Sequence, residues 1–299
     1  MEKFPIEALP ATDITDFQTN SSHREWMGPF TFVCGADTQF GMIDNYHLHK
    51  TEPNWDKEIK LTRESIHRIN KMLPKPKFYI ICGDMLDAFP YEGLRQKDLR
   101  AKQYEDFTKV FQELDADVKL VCVCGNHDIG DVPTQATLNV YRNQFGADVF
   151  SFWVGGVKFC VINSQYFEAP DALPQETKRQ LDFIAKDIAD PNAKHIVVFQ
   201  HIPFFIHDPA EEKEYFNLDP EFRIKILDQL RDAGVKYVFC GHYHRNAGGV
   251  YKDLELIVTS AIGAPLGKDP SGFRIVNVTE EKISHEYIPF RNSPDIGEI

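Results

Sequence analysis

The sequence predicts an α/β fold in which a mixed β-sheet system is flanked by helices. Apolar, strand-like runs alternate with helical patterns over most of the 299 residues, and from residue 246 onward short strand-like pieces replace the helices. Alternating strands and helices are typical of parallel sheets, whereas runs of consecutive strands favour antiparallel pairing. The chain contains no internal repeat and no low-complexity linker.

Three strands and two helices are predicted in the first half of the chain. The first helix spans residues 56–73, where Ile59, Ile66 and Ile69 lie near one face. The second helix is indicated by an i, i+3, i+4, i+7 stripe of apolar residues that begins at Phe107. The strands are the apolar runs 30–37, 78–84 and 118–125.

A hairpin and a helix are predicted next. Residues 150–163 carry consecutive glycines, Gly155 and Gly156, which suit a tight turn between two strands. An apolar stripe over residues 181–188 indicates a helix. The apolar run 195–200 is the strand that follows it.

The last predicted helix has well-marked ends. Asp219 is a favourable N-cap, Pro220 suits the first helical position and Gly234 suits the helix end. Further strands are predicted at 235–241, 254–261 and 273–280.

Composition and charge exclude several classes of protein. The hydrophobic content of 42% and the charged content of 26% are ordinary for a globular protein with a real core. The net charge of −12 argues against nucleic-acid and anionic-membrane binding, because both require a basic surface. No apolar run reaches the roughly 20 residues of a membrane span, and the N-terminus lacks the pattern of a signal peptide. We therefore expect a cytoplasmic monomer that binds neither nucleic acid nor membrane.

The six cysteines all lie in apolar, strand-like runs, and no two of them form a CxxC pair. Cys122 and Cys124 alternate with valines, so both face the same side of one strand. A zinc site built from these two residues would lack its second pair of ligands. The pattern therefore favours buried, reduced thiols in a cytosolic protein.

Polar residues follow five of the strand-like runs directly, at the point where each run ends. The five stretches are VCGADTQ (33–39), IICGDMLD (80–87), CVCGNHD (122–128), VVFQHIP (197–203) and VFCGHYH (238–244). In four of them a glycine closes the apolar run, which lets the backbone turn sharply and brings side chains close together. Because loops at the carboxyl ends of parallel strands converge, we expect the five clusters to form one site.

This predicted site combines oxygen and nitrogen donors. Its candidate ligands are Asp37, Gln39, Asp84, Asn126, His201, His242 and His244. A mixed donor set of this kind suits divalent transition metals or zinc. Taken singly, each cluster also has a purely structural interpretation, such as a turn or a solvated loop. Their joint occurrence at strand ends favours a metal site.

The order D-x-[HQ], GDxxD, GNHD, a separate His and GHxH is similar to that of the calcineurin-like metallophosphoesterase superfamily. The resemblance extends from about residue 30 to about residue 245. It implies a four-layer α-β-β-α sandwich of two mixed β-sheets flanked by helices, with a dinuclear metal site at the strand ends. The phosphoesterase domain would span residues 27–290, between an N-terminal arm (1–26) and a C-terminal tail (291–299).

The resemblance also implies how the ligands divide between two divalent cations (Mn, Fe, Zn or Mg). The Asp84 carboxylate would bridge the two cations. One set would be completed by Asp37, Gln39 and His244, and the other by Asn126, His201 and His242. Hydroxide activated by the two metals would attack phosphorus in line with the leaving oxygen, without a covalent phosphoenzyme.

Two further residues have catalytic roles by resemblance. His127 would stabilise the transition state or protonate the leaving alkoxide without binding metal. Asp87 would hold the other ring nitrogen of His127 and so fix its tautomer and orientation. As an alternative, or in addition, Asp87 caps the helix that follows its strand.

The sequence departs from the superfamily pattern at two places. Gln39 stands where histidine is commoner, and its weaker amide oxygen predicts a less tightly binding site that prefers Mn or Mg over Zn. No arginine follows GDMLD, although the large toxin-sensitive phosphatases carry one there to bind phosphate. The substrate phosphate must then be held elsewhere, with Arg245, Arg142 and His207 as candidates.

Longer stretches of the chain resemble the cytosolic serine/threonine phosphatases of this superfamily. We therefore expect a metal-dependent serine/threonine protein phosphatase that hydrolyses phosphomonoesters in phosphorylated proteins or peptides. A phosphodiesterase acting on cyclic nucleotides or glycerophosphodiesters is the alternative, and a non-catalytic scaffold is the third class. The acidic segment 204–219 can attract basic peptide around a phosphoserine, or it is a solvated insertion.

Overall fold

Two mixed β-sheets pack face to face in the computed structural model, which describes residues 12–90 and 94–290. Helices cover the outer face of each sheet. Their apolar side chains pack against the outward-facing strand residues and form two hydrophobic cores, one on each sheet. The α/β class and the layered sandwich of two sheets flanked by helices are confirmed. No helix within the described ranges is both long and apolar enough to cross a membrane.

The first sheet joins three parallel strands to two antiparallel ones. Its spatial order is β11-β10-β1-β2-β3. Strands β1, β2 and β3 run parallel, while β10 pairs with β1 and β11 pairs with β10 in the antiparallel sense. The bounds are β1 (Phe30–Gly35), β2 (Phe78–Ile81), β3 (Lys119–Cys122), β10 (Gly272–Val278) and β11 (Ile283–Pro289).

The second sheet has a parallel centre and an antiparallel pair at each edge. Its order is β4-β5-β6-β7-β9-β8. Strands β5, β6, β7 and β9 are parallel, and β4 and β8 are the antiparallel edges. The bounds are β4 (Phe150–Val154), β5 (Val157–Val161), β6 (His195–Phe199), β7 (Val235–Cys240), β8 (Ala247–Tyr251) and β9 (Leu254–Val258).

Eight α-helices lie within the described residues. They are α1 (Thr15–Thr19), α2 (Asp56–Asn70), α3 (Leu94–Phe111), α4 (Asn126–Ile129), α5 (Gln135–Phe145), α6 (Gln165–Glu168), α7 (Pro174–Lys186) and α8 (Pro220–Asp232). Short 3-10 and π-helical turns occupy Ser21–Arg24 and Ile43–His47.

Local sequence signals account for several element boundaries. The predicted N-cap Asp219 accepts a hydrogen bond from the Glu221 backbone N–H at 2.8 Å. The hairpin turns at Gly155 and Gly156, whose positive φ values of 53° and 82° match the turn type that tight hairpins favour. Helix α2 ends three residues before the predicted position 73, since the residue before Pro74 is disfavoured in helical conformation.

Aromatic rings fill the space between the two sheets. The Phe32 ring of the first sheet lies 5.4 Å from that of Phe159 in the second, and Phe78 lies 5.3 Å from Phe152 (centroid distances). Most of these pairs are edge-to-face, an arrangement that aromatic rings favour. The rigid inter-sheet core fixes the two sets of strand ends relative to each other.

The N-terminal segment packs onto the β4–β5 hairpin from residue 15 onward. Phe17 is buried and stacks against Phe152, with ring centroids 6.2 Å apart. The backbone N–H of Gly156 donates to the His23 carbonyl at 2.8 Å. The domain limits 27–290 stay a prediction; residues 1–11 of the proposed arm and the proposed tail, 291–299, lie outside the described residues.

All six cysteines are buried free thiols. Cys122 and Cys124 sit among apolar side chains of the core between the first sheet and its helices. Among the described residues, one group of acidic, histidine or cysteine side chains is close enough to hold a metal ion, and it contains no cysteine. The thiols therefore contribute to the packing of the hydrophobic cores.

Replacing Phe78 should test the inter-sheet core. Phe78→Ala removes a fully buried ring and should lower the free energy of unfolding by about 3–5 kcal/mol. Urea unfolding followed by circular dichroism measures this change. As a control, Leu73 is 88% exposed, so Leu73→Ala should change stability by at most about 0.5 kcal/mol. Equal small losses in both variants would show that the ring does not stabilise the contact between the sheets.

Candidate metal centre

The ends of five strands from both sheets meet at one place. The loops after β1 and β2 are joined by backbone hydrogen bonds from Asp37 N to Gly83 O and from Gln39 N to Asp84 O, both 3.0 Å long. The loop after β7 joins that after β6 through Gly241 N and His201 O, 3.1 Å apart. All seven predicted ligands lie at this junction, and none is more than 4% exposed.

Four of these ligands form the tightest cluster. The His201 Nε2 atom lies 3.0 Å from Asn126 Oδ1, 3.2 Å from Asp84 Oδ2 and 3.2 Å from His242 Nδ1. One donor atom from each of Asp84, His201 and His242 falls within 4.8 Å of the others, all buried. These distances allow the four side chains to share one cation.

The remaining three predicted ligands are Asp37, Gln39 and His244. His244 Nε2 is 3.4 Å from Asp37 Oδ1, and that oxygen is 4.0 Å from His201 Nδ1. The Gln39 amide donates from Nε2 to Asp87 at 3.4 Å, while its Oε1 is buried with no hydrogen-bond partner among the described residues. A buried carbonyl oxygen without a donor is costly, and a cation would satisfy it. The donor set therefore fits divalent metal ions.

Backbone carbonyls fix the orientation of all three histidine ligands. Nδ1 of His201 bonds to Cys82 O at 2.7 Å, and Nδ1 of His244 bonds to Ala264 O at 2.6 Å. His242 is reversed, because its Nε2 bonds to Tyr215 O at 3.2 Å. A carbonyl oxygen can only accept a hydrogen bond, so the ring nitrogen next to it carries the N–H, and in the neutral imidazole the opposite nitrogen carries the lone pair that faces the cluster.

The backbone at the site is held in an uncommon conformation. Seven non-glycine residues among those described have positive φ. Five of the seven are predicted ligands, with φ between 35° and 68°: Asp37, Gln39, Asp84, His242 and His244. Such conformations cost free energy and persist where the surrounding structure enforces them, most often at functional sites.

Three glycines that precede ligands make room for ligands from other loops. A Cβ atom at Gly83 would lie 2.2 Å from His201 Nδ1, and one at Gly125 would lie 2.2 Å from Asp84 Oδ1. At Gly241 it would lie 2.7 Å from Asp37 Oδ2. These approaches exclude any side chain, which is the physical reason for glycine at the strand ends.

Comparison with known proteins agrees with this geometry. Residues 31–246 match the calcineurin-like phosphoesterase family. The chain belongs to the calcineurin-like phosphoesterase family. It is a hydrolase of phosphate esters by that membership, and the resemblance stated from the sequence is confirmed.

The relatives of this phosphoesterase include curated proteins of similar length. It is 45% identical to the serine/threonine-protein phosphatase CPPED1 of Homo sapiens, over 88% of this chain and 84% of that protein. It is 39% identical to the protein of the same name from Danio rerio, over 90% and 87%.

Solved structures share the fold at much lower sequence identity. A dimetal phosphatase from Danio rerio superimposes with a TM-score of 0.63 at 14% identity, covering 86% of this chain and 95% of that one. GAP50, described as the anchor in the inner membrane complex of Plasmodium, gives 0.62 at 14% identity, over 89% and 86%. These similarities establish the architecture.

His127 of the phosphoesterase lies beside the ligands and not among them. Its backbone N–H donates to Asp84 Oδ1 at 2.9 Å, and the Phe89 ring lies 4.1 Å from its imidazole. Its Nδ1 bonds to the main-chain carbonyl of Asp87 at 2.7 Å, whereas the Asp87 carboxylate is 3.7 Å away. That carboxylate accepts from Asn45 at 3.0 Å and from Gln39. The sequence pointed to Asp87 as the partner of His127, and the closest contact is made by its backbone.

Two residues that hold the site together were not assigned a role from the sequence. The Asp128 carboxylate accepts from the backbone N–H groups of Gly125, Asp84 and Met85 at 2.8, 2.9 and 3.3 Å. The buried Arg100 guanidinium donates to the carbonyls of His127, Asp128 and a residue of the GDMLD loop, Ala88. Asp128 was visible within GNHD, but Arg100 lies in a helical pattern that gives no functional signal.

The two carboxylate-bearing loops make the phosphoesterase site attractive to positive charge. Burial by itself lowers the pKa of His201, but the carboxylates of Asp84 and Asp37 outweigh burial and raise that pKa to about 9. Burial also lowers the pKa of His242, and the neighbouring His201 lowers it further. One imidazole therefore holds positive charge in the absence of cations, while its neighbour stays neutral.

The three candidates for phosphate binding contact other side chains of the protein. Arg142 of helix α5 forms an ion pair with Asp148 at 2.8 Å and a second with Glu176 of helix α7 at 2.9 Å. The Arg245 guanidinium lies 4.9 Å from the Tyr243 ring centroid, and the His207 ring lies 6.3 Å from the same ring.

The acidic segment has internal structure. The Glu211 carboxylate accepts from the backbone N–H groups of Ile206 and His207 at 2.6 and 3.0 Å. The Arg223 guanidinium donates to the carbonyls of Pro209 and Glu211. Glu211 therefore shapes the loop, Asp219 caps the helix that follows it, and the docking of basic peptide stays a prediction.

Substitution of Gly125 tests the close approach at the strand ends. The Gly125 φ of −109° is open to any residue, so the effect of Gly125→Ala comes from the clash with Asp84 alone. We expect Mn²⁺ affinity, measured by calorimetry, to fall by about tenfold or more. Gly146→Ala is the control, because a Cβ there meets no atom within 4 Å and its strain at φ +95° affects stability only. Unchanged affinity in Gly125→Ala would contradict the packing described.

Proposed function

We propose that this chain is a metal-dependent protein phosphatase that hydrolyses phosphoserine and phosphothreonine monoesters. The observation that supports this most is a complete set of seven buried candidate ligands, Asp84 among them, with His127 beside Asp84. The curated relatives at 39–45% identity are named serine/threonine-protein phosphatases, which supports the choice of substrate class. Phosphorylated proteins or peptides are then the partners.

We propose two sets of metal ligands that share the Asp84 carboxylate. Asn126, His201 and His242 form one set. Asp37, Gln39 and His244 form the other, in which the oxygen of Gln39 lacks another partner among the described residues. When bound, a pair of divalent cations supplies Lewis acidity that activates water and neutralises phosphate charge.

His127 is proposed to act on the leaving group. Its Nδ1–H is held by the Asp87 carbonyl, so Nε2 is the nitrogen available to a substrate. A proton on Nε2 can pass to the alkoxide oxygen of serine or threonine as the P–O bond breaks. The Asp87 carboxylate lies 3.7 Å from the same Nδ1 and helps to fix the orientation of the ring.

The buried thiols and the net charge of the chain indicate the compartment in which the enzyme acts and the class of its substrates. Six buried free thiols support a reducing compartment, and we propose the cytoplasm. The net charge of −12 supports protein substrates over nucleic acid or an anionic membrane. We propose a monomer, which light scattering of the purified chain tests directly.

Loss of His127 should separate catalysis from metal binding. His127→Ala should lower kcat by about 10²–10⁴-fold, because the leaving alkoxide loses its proton donor. The metal content from elemental analysis should stay at the wild-type value, since alanine keeps the backbone N–H that donates to Asp84 and the lost imidazole is not among the proposed ligands. His67→Ala, an exposed histidine on α2, is the control and should leave both unchanged. A matching loss of metal and turnover would place His127 among the ligands.

The substrate class can be decided with two compounds. We expect kcat/KM for a phosphoserine peptide to exceed that for bis-p-nitrophenyl phosphate by on the order of tenfold or more. Both activities should vanish after metal depletion and return with Mn²⁺. Faster turnover of the diester would assign a phosphodiesterase, and no turnover of either after Mn²⁺ addition would favour a scaffold.

A further inference from the structure

The amide nitrogen of Asn126 contacts two side chains that are not among the seven predicted ligands. Its Nδ2 donates to Asp131 Oδ1 at 2.9 Å and reaches the Tyr215 hydroxyl at 3.5 Å. Its Oδ1 faces the opposite way, 3.0 Å from His201 Nε2. The side chain therefore presents its oxygen to the ligand cluster and its nitrogen to the outside.

An asparagine side chain can bind a metal ion only in the orientation that directs its oxygen at the ion. Rotation of the amide by half a turn exchanges oxygen and nitrogen, and an NH₂ group cannot bind a cation. A carboxylate only accepts hydrogen bonds, so Asp131 is compatible with the orientation that keeps the oxygen inward. The Tyr215 hydroxyl can both donate and accept, so its contact does not by itself choose an orientation.

Asp131 is itself held in place by the chain behind it. Its main-chain carbonyl accepts from Nε2 of the buried Gln165 at 3.2 Å, and the carbonyl of Gly130 accepts from the same atom at 3.4 Å. Gln165 belongs to helix α6 of a different segment. The carboxylate therefore approaches Asn126 from a fixed backbone, although its side chain is exposed to solvent.

We propose that Asp131 is a positioning residue that orients the amide of Asn126 so that its oxygen binds metal. This inference rests on the proposed function, in which Asn126 is a ligand. It assigns Asp131 an effect on metal affinity and not on the chemical step. Residues that hold a metal ligand in this way typically contribute 10–100-fold to affinity.

Calorimetric titration of the metal-depleted chain with Mn²⁺ tests the proposal. Asp131→Asn keeps the shape of the side chain but offers an NH₂ group to Asn126, which permits the reversed amide. We expect the dissociation constant of one of two Mn²⁺ ions to rise by about 10–100-fold. Turnover of p-nitrophenyl phosphate should recover at saturating Mn²⁺. Asp171→Asn, which also removes one exposed acid, should change neither quantity.

A second parent variant, Asn126→Asp, distinguishes an effect of Asp131 on the orientation of the residue 126 side chain from the simple loss of its negative charge. In Asn126→Asp the ligand carries two equivalent oxygens, and no orientation has to be chosen. Adding Asp131→Asn to that variant should leave Mn²⁺ affinity unchanged or increase it, because two carboxylates no longer repel each other. Equal weakening in both backgrounds would show that Asp131 acts through its charge alone, which would overturn the proposal.

The outcomes also distinguish this inference from the proposed function. If Asn126→Ala loses one Mn²⁺ ion while Asp131→Asn binds like the wild type, the ligand set stands and the positioning role falls. If the wild-type chain binds no Mn²⁺, or Asn126→Ala retains both ions, the proposed ligand set itself fails. Tyr215→Phe removes only the longer contact and should weaken binding by less than about threefold.

Discussion

Burial of charge at the strand ends is the constraint around which the rest of this molecule is arranged. Two carboxylates and three imidazoles that are proposed to bind metal lie together with almost no exposure to water. Removing such groups from water is costly unless each one finds a partner. The loops meet this requirement with backbone N–H groups, backbone carbonyls and neighbouring side chains, and Gln39 Oε1 is left for a cation.

The supporting hydrogen bonds do more than lower the cost of burial. Because each histidine gives one ring nitrogen to a carbonyl, the lone pair of the other is directed into the cluster. Asp128 collects three backbone N–H groups from two loops and so ties GNHD to GDMLD. Arg100 joins the same two loops through their carbonyls. Hydrogen bonds to the main chain therefore hold the loops of the site in place around the proposed ligands.

The layered fold supplies the rigidity that this cage requires. The segments that follow strands of the first sheet carry Asp37, Asp84 and Asn126, while those that follow strands of the second carry His201 and His242. Edge-to-face phenylalanine contacts hold the two sheets together. A shift of either sheet would separate oxygen from nitrogen ligands. The same rigidity allows five ligands to keep left-handed backbone conformations that isolated loops would abandon.

The sequence by itself determined the class of fold, the order of the main strands and of helices α2, α3, α7 and α8, and the residue types that gather at the strand ends. These follow from local patterns, since apolar runs, capping residues and glycines act on their immediate neighbours. Only the tertiary structure decided which atom meets which: the Asp87 carbonyl on His127, Arg100 behind GNHD, and Asp131 on Asn126. The contact of His242 with Asp37 joins residues 205 positions apart. Contacts between residues so far apart in the chain depend on how the two sheets pack. Local sequence patterns do not determine that packing, so these contacts could not be predicted.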